Sequence, residues 1–262
     1  MSVQSSRNGK LQHNRQHDIY LLALKHGSVD VSELAERFEV TTETIRRDLS
    51  DMQDRQLLRR VHGGAVPIER LNHEPMVAAR DMLNAEEKLR IAQLAIAEVP
   101  RQGSVILDSG STGQRLAEVF PLDRDVHVVT NSLISAITLT RRGINELTVL
   151  GGGVRTNTFA MIDASAVTAV RQMQVDVLFI SCDGLSFRRG LTTPYREELF
   201  IKRAMIESAR RVVAIVDQSK FGNGQMFSYA SLDEIDVLIT DSRVDDDTVG
   251  ILTGHDIDVR RA

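Results

Sequence analysis

The stretch VTTETIRRDLSDMQ, residues 40–53, decides how the first quarter of this chain is read. Ile45, Leu49 and Met52 fall at i, i+4 and i+7, one stripe of an α-helix, and Thr41 stands where an N-cap belongs. If that stripe faces a core, the opposite face carries Glu43, Arg47 and Ser50, with Arg46 at its edge and Thr42 and Thr44 in the first turn. Successive helical residues point about 100° apart, so the two arginines cannot share one task. A guanidinium fits guanine or phosphate in a bidentate manner, which suits one arginine to a base edge and the other to a backbone phosphate. Glu43 is placed to orient Arg47 at i, i+4.

The flanking sequence supports this reading. Upstream, RQHDIYLLALKH (residues 15–26) sets Ile19, Leu22 and Ala23 on a helical stripe that Gly27 ends. Asp30 then precedes VSELAERF, with Glu33 three places on in a capping-box-like start. Downstream, LLRRVHGGAVPI (residues 57–68) reads as a β-hairpin turning at Gly63-Gly64, with Arg59, Arg60 and His62 available to grip a nucleic-acid backbone. Three short helices followed by a basic hairpin make a winged helix-turn-helix over residues 12–67, an α+β unit whose partner is operator double-stranded DNA. One such unit makes few contacts, so a homo-oligomer, dimer or tetramer, reading half-sites about 10 bp or a multiple apart is expected. RNA is disfavoured: aromatic residues are 4% of the chain, and the helix lacks any stacking platform.

Composition bounds the rest. With 262 residues, one large domain and a small one fit. Residues 1–70 hold 11 Lys/Arg against 10 Asp/Glu and the remainder 21 against 26, a total of −4, so nucleic acid must be met through a local patch. Apolar runs are too short for a membrane span, and Met1–Lys10 has no signal-peptide core. Cys182 is the only cysteine, which suits a reducing, cytoplasmic setting. The seven histidines lack metal-ligand spacing, and no cofactor fingerprint is present, so neither metal nor cofactor is expected.

Residues 68–85 read as a linker with a short helical piece, and a second domain spans 86–262. There, apolar β-branched runs at 104–108, 126–130, 147–151, 175–181, 211–217 and 235–240 alternate with helical stretches at 112–119, 132–142, 163–172 and 195–209. That pattern predicts an α/β domain with a mostly parallel sheet covered on both faces. Ligands in such sheets bind at the carboxyl ends of strands. Those ends offer Asp108, Ser109, Gly110, Ser111 and Thr112 before a helix, then Asn131, Asp183 and Gly184, Thr192 and Thr193, Glu197 and Glu198 with Lys202, and Lys220. Glycines and hydroxyls at a helix N-terminus suit a phosphate, and the set as a whole describes a sugar-phosphate site.

VTTETIRRDL followed by LLRRVHGGA resembles the DNA-binding signature of the DeoR family of bacterial transcriptional regulators. The later motifs LDSGST, TNSL, LGGGVR, DGLSFRRGLTT, EELFIKRAM, DQSKFG and IDVLITD resemble it too, so the likeness runs over residues 15–260. It implies a sensor domain similar to ribose-5-phosphate isomerase and a repressor of sugar-metabolism or sugar-uptake genes released by a phosphorylated sugar. Fructose 1-phosphate or fructose 6-phosphate is the expected effector. The resemblance puts the phosphate loop on Ser109 to Thr112, the acidic loop on Asp183-Gly184, the acid near Glu197 and a lysine on Lys220. Asp163 stands where the family pattern has glycine. The alternative is an isomerase-like enzyme carrying a DNA-binding arm, which would need a positioned carboxylate base. Ser186 stands where that enzyme has a second loop aspartate.

Overall fold

Ile45, Leu49 and Met52 are fully buried in the computed structural model, which describes residues 15–16, 18–20, 22–23, 28–54, 57–67 and 83–262. The chain divides into two units at Leu83/Asn84. In the first, Arg15, Gln16, Asp18–Tyr20, Leu22 and Ala23 are helical. Helix α1 (Val31–Arg37) is capped by Asp30, whose carboxylate accepts from the Ser32 and Glu33 amides. Helix α2 (Thr42–Asp54) starts on Thr41, whose hydroxyl accepts from the Thr44 amide at 3.2 Å. The α2 stripe packs with Ile19, Ala23, Leu34 and Leu58 in one small core. Burying each such side chain contributes about 1.5–3 kcal/mol, which anchors α2 from behind.

The hairpin forms as expected: β2 (Leu58–Val61) and β3 (Gly64–Pro67) are antiparallel around a turn with φ +80° at Gly63. A third strand, β1 (Val29–Asp30), pairs with β3 at Gly64 and Ala65. A Cβ at Gly64 would collide with the Val29 carbonyl oxygen, so this glycine serves the close approach of β1. The helical piece expected in the linker, and the Gly27 stop, lie outside the described residues.

The second unit opens with α3 (Ala85–Ala95), one residue earlier than the sequence suggests. There follow β4 (Gln102–Leu107), α4 (Ser111–Val119), β5 (Asp125–Thr130), α5 (Leu133–Arg142), β6 (Leu147–Val149), β7 (Val154–Arg155) and β8 (Ala160–Met161). Then come α6 (Ala164–Arg171), β9 (Val175–Ile180), β10 (Gly184–Ser186), β11 (Gly190–Thr193), α7 (Arg196–Glu207) and β12 (Ala209–Ile215). The domain closes with β13 (Phe227–Ala230), β14 (Val237–Thr240), α8 (Asp246–Thr253) and β15 (Asp258–Arg261). All six expected strands are present within three residues at either end, joined by β15 in a seven-stranded sheet of order β15-β14-β12-β9-β4-β5-β6. Every pairing in it is parallel.

Alternate residues of each strand serve two cores. On β9, Val177 and Phe179 join Ile91, Leu116 and Phe120 on one face, while Leu178 and Ile180 join Ile201 and Tyr229 on the other. From β4 the chain steps outward to β5 and β6, then returns to β9 and steps the other way to β12, β14 and β15. The topological switch point therefore lies between β4 and β9. Beyond the end of β9, a separate antiparallel sheet of order β10-β11-β13 is built from three short strands that the sequence pattern does not reveal.

Candidate functional site

Two surfaces carry the residues singled out from sequence. On the first unit, Arg46 and Arg47 are exposed on α2, and the Glu43 carboxylate lies 3.8 Å from Arg46 Nη1 and 4.0 Å from Arg47 Nε. Thr42 is exposed; Thr44 and Ser50 are half-buried, and the Thr44 hydroxyl lies 2.9 Å from that of Thr41. Arg59, Arg60 and His62 are exposed on the hairpin. The Arg60 amide donates to Gln53 Oε1 at 2.9 Å, which ties the hairpin to the last turn of α2.

The sequence reading missed Asp48. It is buried and accepts from Arg15 Nε at 2.6 Å and Gln16 Nε2 at 3.1 Å, so it clamps α2 onto the first helical stretch. Its position beside Leu49 on the inward stripe is the signal that would have found it.

On the second unit, the carboxyl ends of β4 and β9 meet at the switch point, where ligands of open α/β sheets bind. Asp108, just after β4, is buried and accepts from Lys202 Nζ at 2.5 Å and from the Ser181 amide at 3.3 Å. Its other oxygen, Oδ1, is buried with no hydrogen-bond partner among the described residues. Lys202 also donates to the Ser181 carbonyl at 3.0 Å, and the Tyr229 hydroxyl donates to the same oxygen at 2.8 Å. Burial opposes the Lys202 charge, but Asp108, Glu198 and Asp183 outweigh it and hold the ammonium above the ordinary lysine range. Burial pushes the Tyr229 phenol well up.

Helix α4 begins beside this pair. Its N-cap is Gly110 at φ +129°, without a side-chain cap, so the first amides of the helix are left to other acceptors. A Cβ at Gly110 would stand 2.7 Å from Ser181 Oγ as well as being strained at that φ, so glycine is required. The Ser109 amide is already engaged, donating to Asn131 Oδ1 at 2.8 Å. Asn131 thus shapes the loop, while Ser111 and Thr112 stand buried at the helix start.

Two adjacent carboxylates, Glu197 and Glu198, stand in the first turn of α7. Glu197 is exposed, whereas Glu198 is buried, accepting from Arg155 Nη1 at 2.8 Å and from the Thr193 hydroxyl at 2.9 Å. The Arg155 guanidinium also stacks 3.8 Å from the Tyr195 ring centre. Thr192 is fully buried in the small sheet, donating to the Gly184 carbonyl at 2.7 Å and accepting from the Gln225 amide at 2.9 Å. Asp183 and Lys220 are half-buried beside Cys182, whose thiol burial pushes up to about 12. Lys220 has no ion-pair partner among the described residues. Asp163, the departure from the family pattern, caps α6 and accepts from the Gly153 amide at 2.6 Å, holding the 150–155 loop. No cluster of potential metal ligands occurs among the described residues, and no described helix is long and apolar enough to cross a membrane.

A helix-turn-helix unit with exposed arginines on α2 and its hairpin, in one chain with an α/β domain that has polar loops at its switch point, defines a DNA-binding regulator with a separate sensor. A model of the DeoR-like helix-turn-helix domain matches residues 15–70, and one of the DeoR C terminal sensor domain matches residues 83–242. The chain is 36% identical to the HTH-type transcriptional regulator GlpR of Haloferax volcanii over 83% of this chain and 85% of that protein. It is 30% identical to the glycerol-3-phosphate regulon repressor of Escherichia coli over 94% of this chain and 97% of that protein. The chain belongs to the DeoR family of transcriptional regulators and is a regulator rather than an enzyme. Ribose 5-phosphate isomerase A from Methanocaldococcus jannaschii aligns over 53% of this chain and 55% of its own, at 18% identity and a TM-score of 0.40, a likeness too weak to bear on function.

Proposed function

We propose that this regulator represses sugar-metabolism or sugar-uptake genes and leaves its operator when a phosphorylated sugar occupies the β4–β9 switch point. The observation that carries the reading is the α4 N-terminus, without a side-chain cap, beside the buried Asp108–Lys202 pair. Helix amides and the macrodipole suit a phosphate there. Asp108 and Glu198 are already neutralised by Lys202 and Arg155, so the acids do not repel an anion strongly, and Lys220 adds a cation without an ion-pair partner among the described residues. A buried carboxylate oxygen at Asp108 suits a ligand hydroxyl. The effector residues in this reading are Asp108, Gly110, Ser111, Thr112, Asp183 and Lys220, with Ser109, Asn131, Gly184, Thr192 and Lys202 shaping the pocket and Glu198 in place of Glu197. Arg46, Arg47, Arg59, Arg60 and His62 meet operator DNA, supported by Thr42, Thr44 and Ser50.

The protein acts in the cytoplasm as a dimer or tetramer, with DNA-binding, linker and sensor segments at 12–67, 68–85 and 86–262. The test is thermal unfolding against phosphorylated compounds. Fructose 1-phosphate or fructose 6-phosphate should raise the unfolding temperature and release a bound operator duplex. Glycerol 3-phosphate, suggested by the name of the E. coli relative, belongs in the same series. Absence of any shift across the series would remove the sugar-phosphate reading.

A further inference from the structure

The exposed face of α2 is not simply basic. TETIRRDLSDMQD contains two arginines and four acids. Asp48 is buried against Arg15 and Gln16, and Asp51 and Asp54 lie towards the C-terminal end. Glu43 alone sits among the arginines. Its side chain is 66% exposed, and its two oxygens reach one guanidinium each, at 3.8 Å for Arg46 and 4.0 Å for Arg47.

Exposed pairs at this separation add little to stability, so the fold has no strong need of them. Their effect is on the charge that DNA meets. A carboxylate brought to a groove is repelled by phosphates unless it accepts from a base amino group, and cytosine N4 is the donor that glutamate fits in the major groove. Residues at the start of a recognition helix are the ones that touch base edges.

We propose that Glu43 is a specificity-determining residue of the DNA-binding unit: it withholds Arg46 and Arg47 from non-operator DNA and frees them where its carboxylate accepts from a cytosine amino group. This rests on α2 being the recognition helix. On unrelated sequence the carboxylate keeps both guanidiniums and adds repulsion; at the operator an amino group takes their place. Discrimination then comes from a penalty on the wrong site as much as from attraction to the right one.

The test uses the full chain, a duplex that the wild-type protein selects from a randomised library, and a mixed-sequence duplex. Glu43→Gln keeps the size and removes the charge. It should bind the mixed-sequence duplex about tenfold more tightly, with a steeper salt dependence, and lose its preference at one C·G pair of the selected duplex. Glu43→Ala should show the same loss of discrimination, and thermal unfolding of both variants should stay near that of the wild type. Unchanged affinity and salt slope on mixed-sequence DNA in both variants would overturn the proposal. So would equal loss of affinity on the two duplexes. Arg46→Ala and Arg47→Ala separate the two levels: if they bind the selected duplex like the wild type, the recognition-helix reading itself falls. If they weaken it while Glu43→Gln leaves the selected-to-mixed ratio intact, only the role of Glu43 is lost.

Discussion

Lys202 and Lys220 both read from the sequence as effector ligands, and the structure gives them opposite surroundings. Lys202 is buried and its ammonium is spent on Asp108 and the Ser181 carbonyl. Removing one member of such a pair leaves the other charge buried, so Lys202→Ala should cost about 3–5 kcal/mol in urea unfolding. Asp108→Ala is likewise a stability variant before it is a ligand variant. Lys220 is half-buried without an ion-pair partner among the described residues, so Lys220→Ala should change stability by less than about 0.5 kcal/mol. In operator titrations it should still bind DNA and fail to release on adding the sugar phosphate; release like the wild type would mean the effector sits on other loops. Lys202 and Tyr229 also set the alkaline limit. Both have pKa values raised by folding, so their contributions are intact below the unfolded values and are lost as pH climbs through the folded ones. Unfolding temperature should therefore fall above about pH 10, and Tyr229→Phe should soften that fall.

Helix α2 works as an element because three apolar residues and one acid hold it from behind. Asp48→Ala removes two hydrogen bonds, one of them to a charged group, and should cost the N-terminal unit about 2 kcal/mol in thermal unfolding. On the outward face, Arg46→Ala or Arg47→Ala should weaken operator binding, and one of them should relax base preference by about 1–3 kcal/mol. Arg60→Ala should weaken all sequences alike and reduce the salt slope by about 1, as expected of a phosphate contact. These helices were legible because 3.6-residue periodicity survives over three turns, and the central strands were legible because both faces are buried. The elements missed have neither property. Strand β1 is two residues long, β15 is DVRR on a sheet edge, and β10, β11 and β13 are three- or four-residue strands held partly by Thr192. Which of Glu197 and Glu198 is buried could not be read from the sequence, because adjacent helical carboxylates differ only in phase, and the phase of α7 is set by Ile201 and Met205 packing inward. Arg155 and Tyr229 could not be placed from sequence, because their partners lie 43 and 48 residues away.

For the molecule as a whole, the proposed release of operator by effector requires the two binding events to be linked. A tenfold loss of operator affinity corresponds to about 1.4 kcal/mol of coupling. Operator DNA should then weaken the effector by the same factor, measurable by calorimetry with and without the duplex. Equal effector affinity in both would show that the two sites do not communicate. The strand order has a further consequence, in time rather than in energy. The described residues of the N-terminal core lie between Ile19 and Leu83, so all of them have been synthesised before the sensor sheet begins at Gln102. The sensor sheet cannot join its halves until Val175–Ile180 exists to pair with β4, and its last edge strand is Asp258–Arg261. Parallel pairing across such separations is slow to form. On the ribosome, the helix-turn-helix core is thus complete well before the sensor sheet can close.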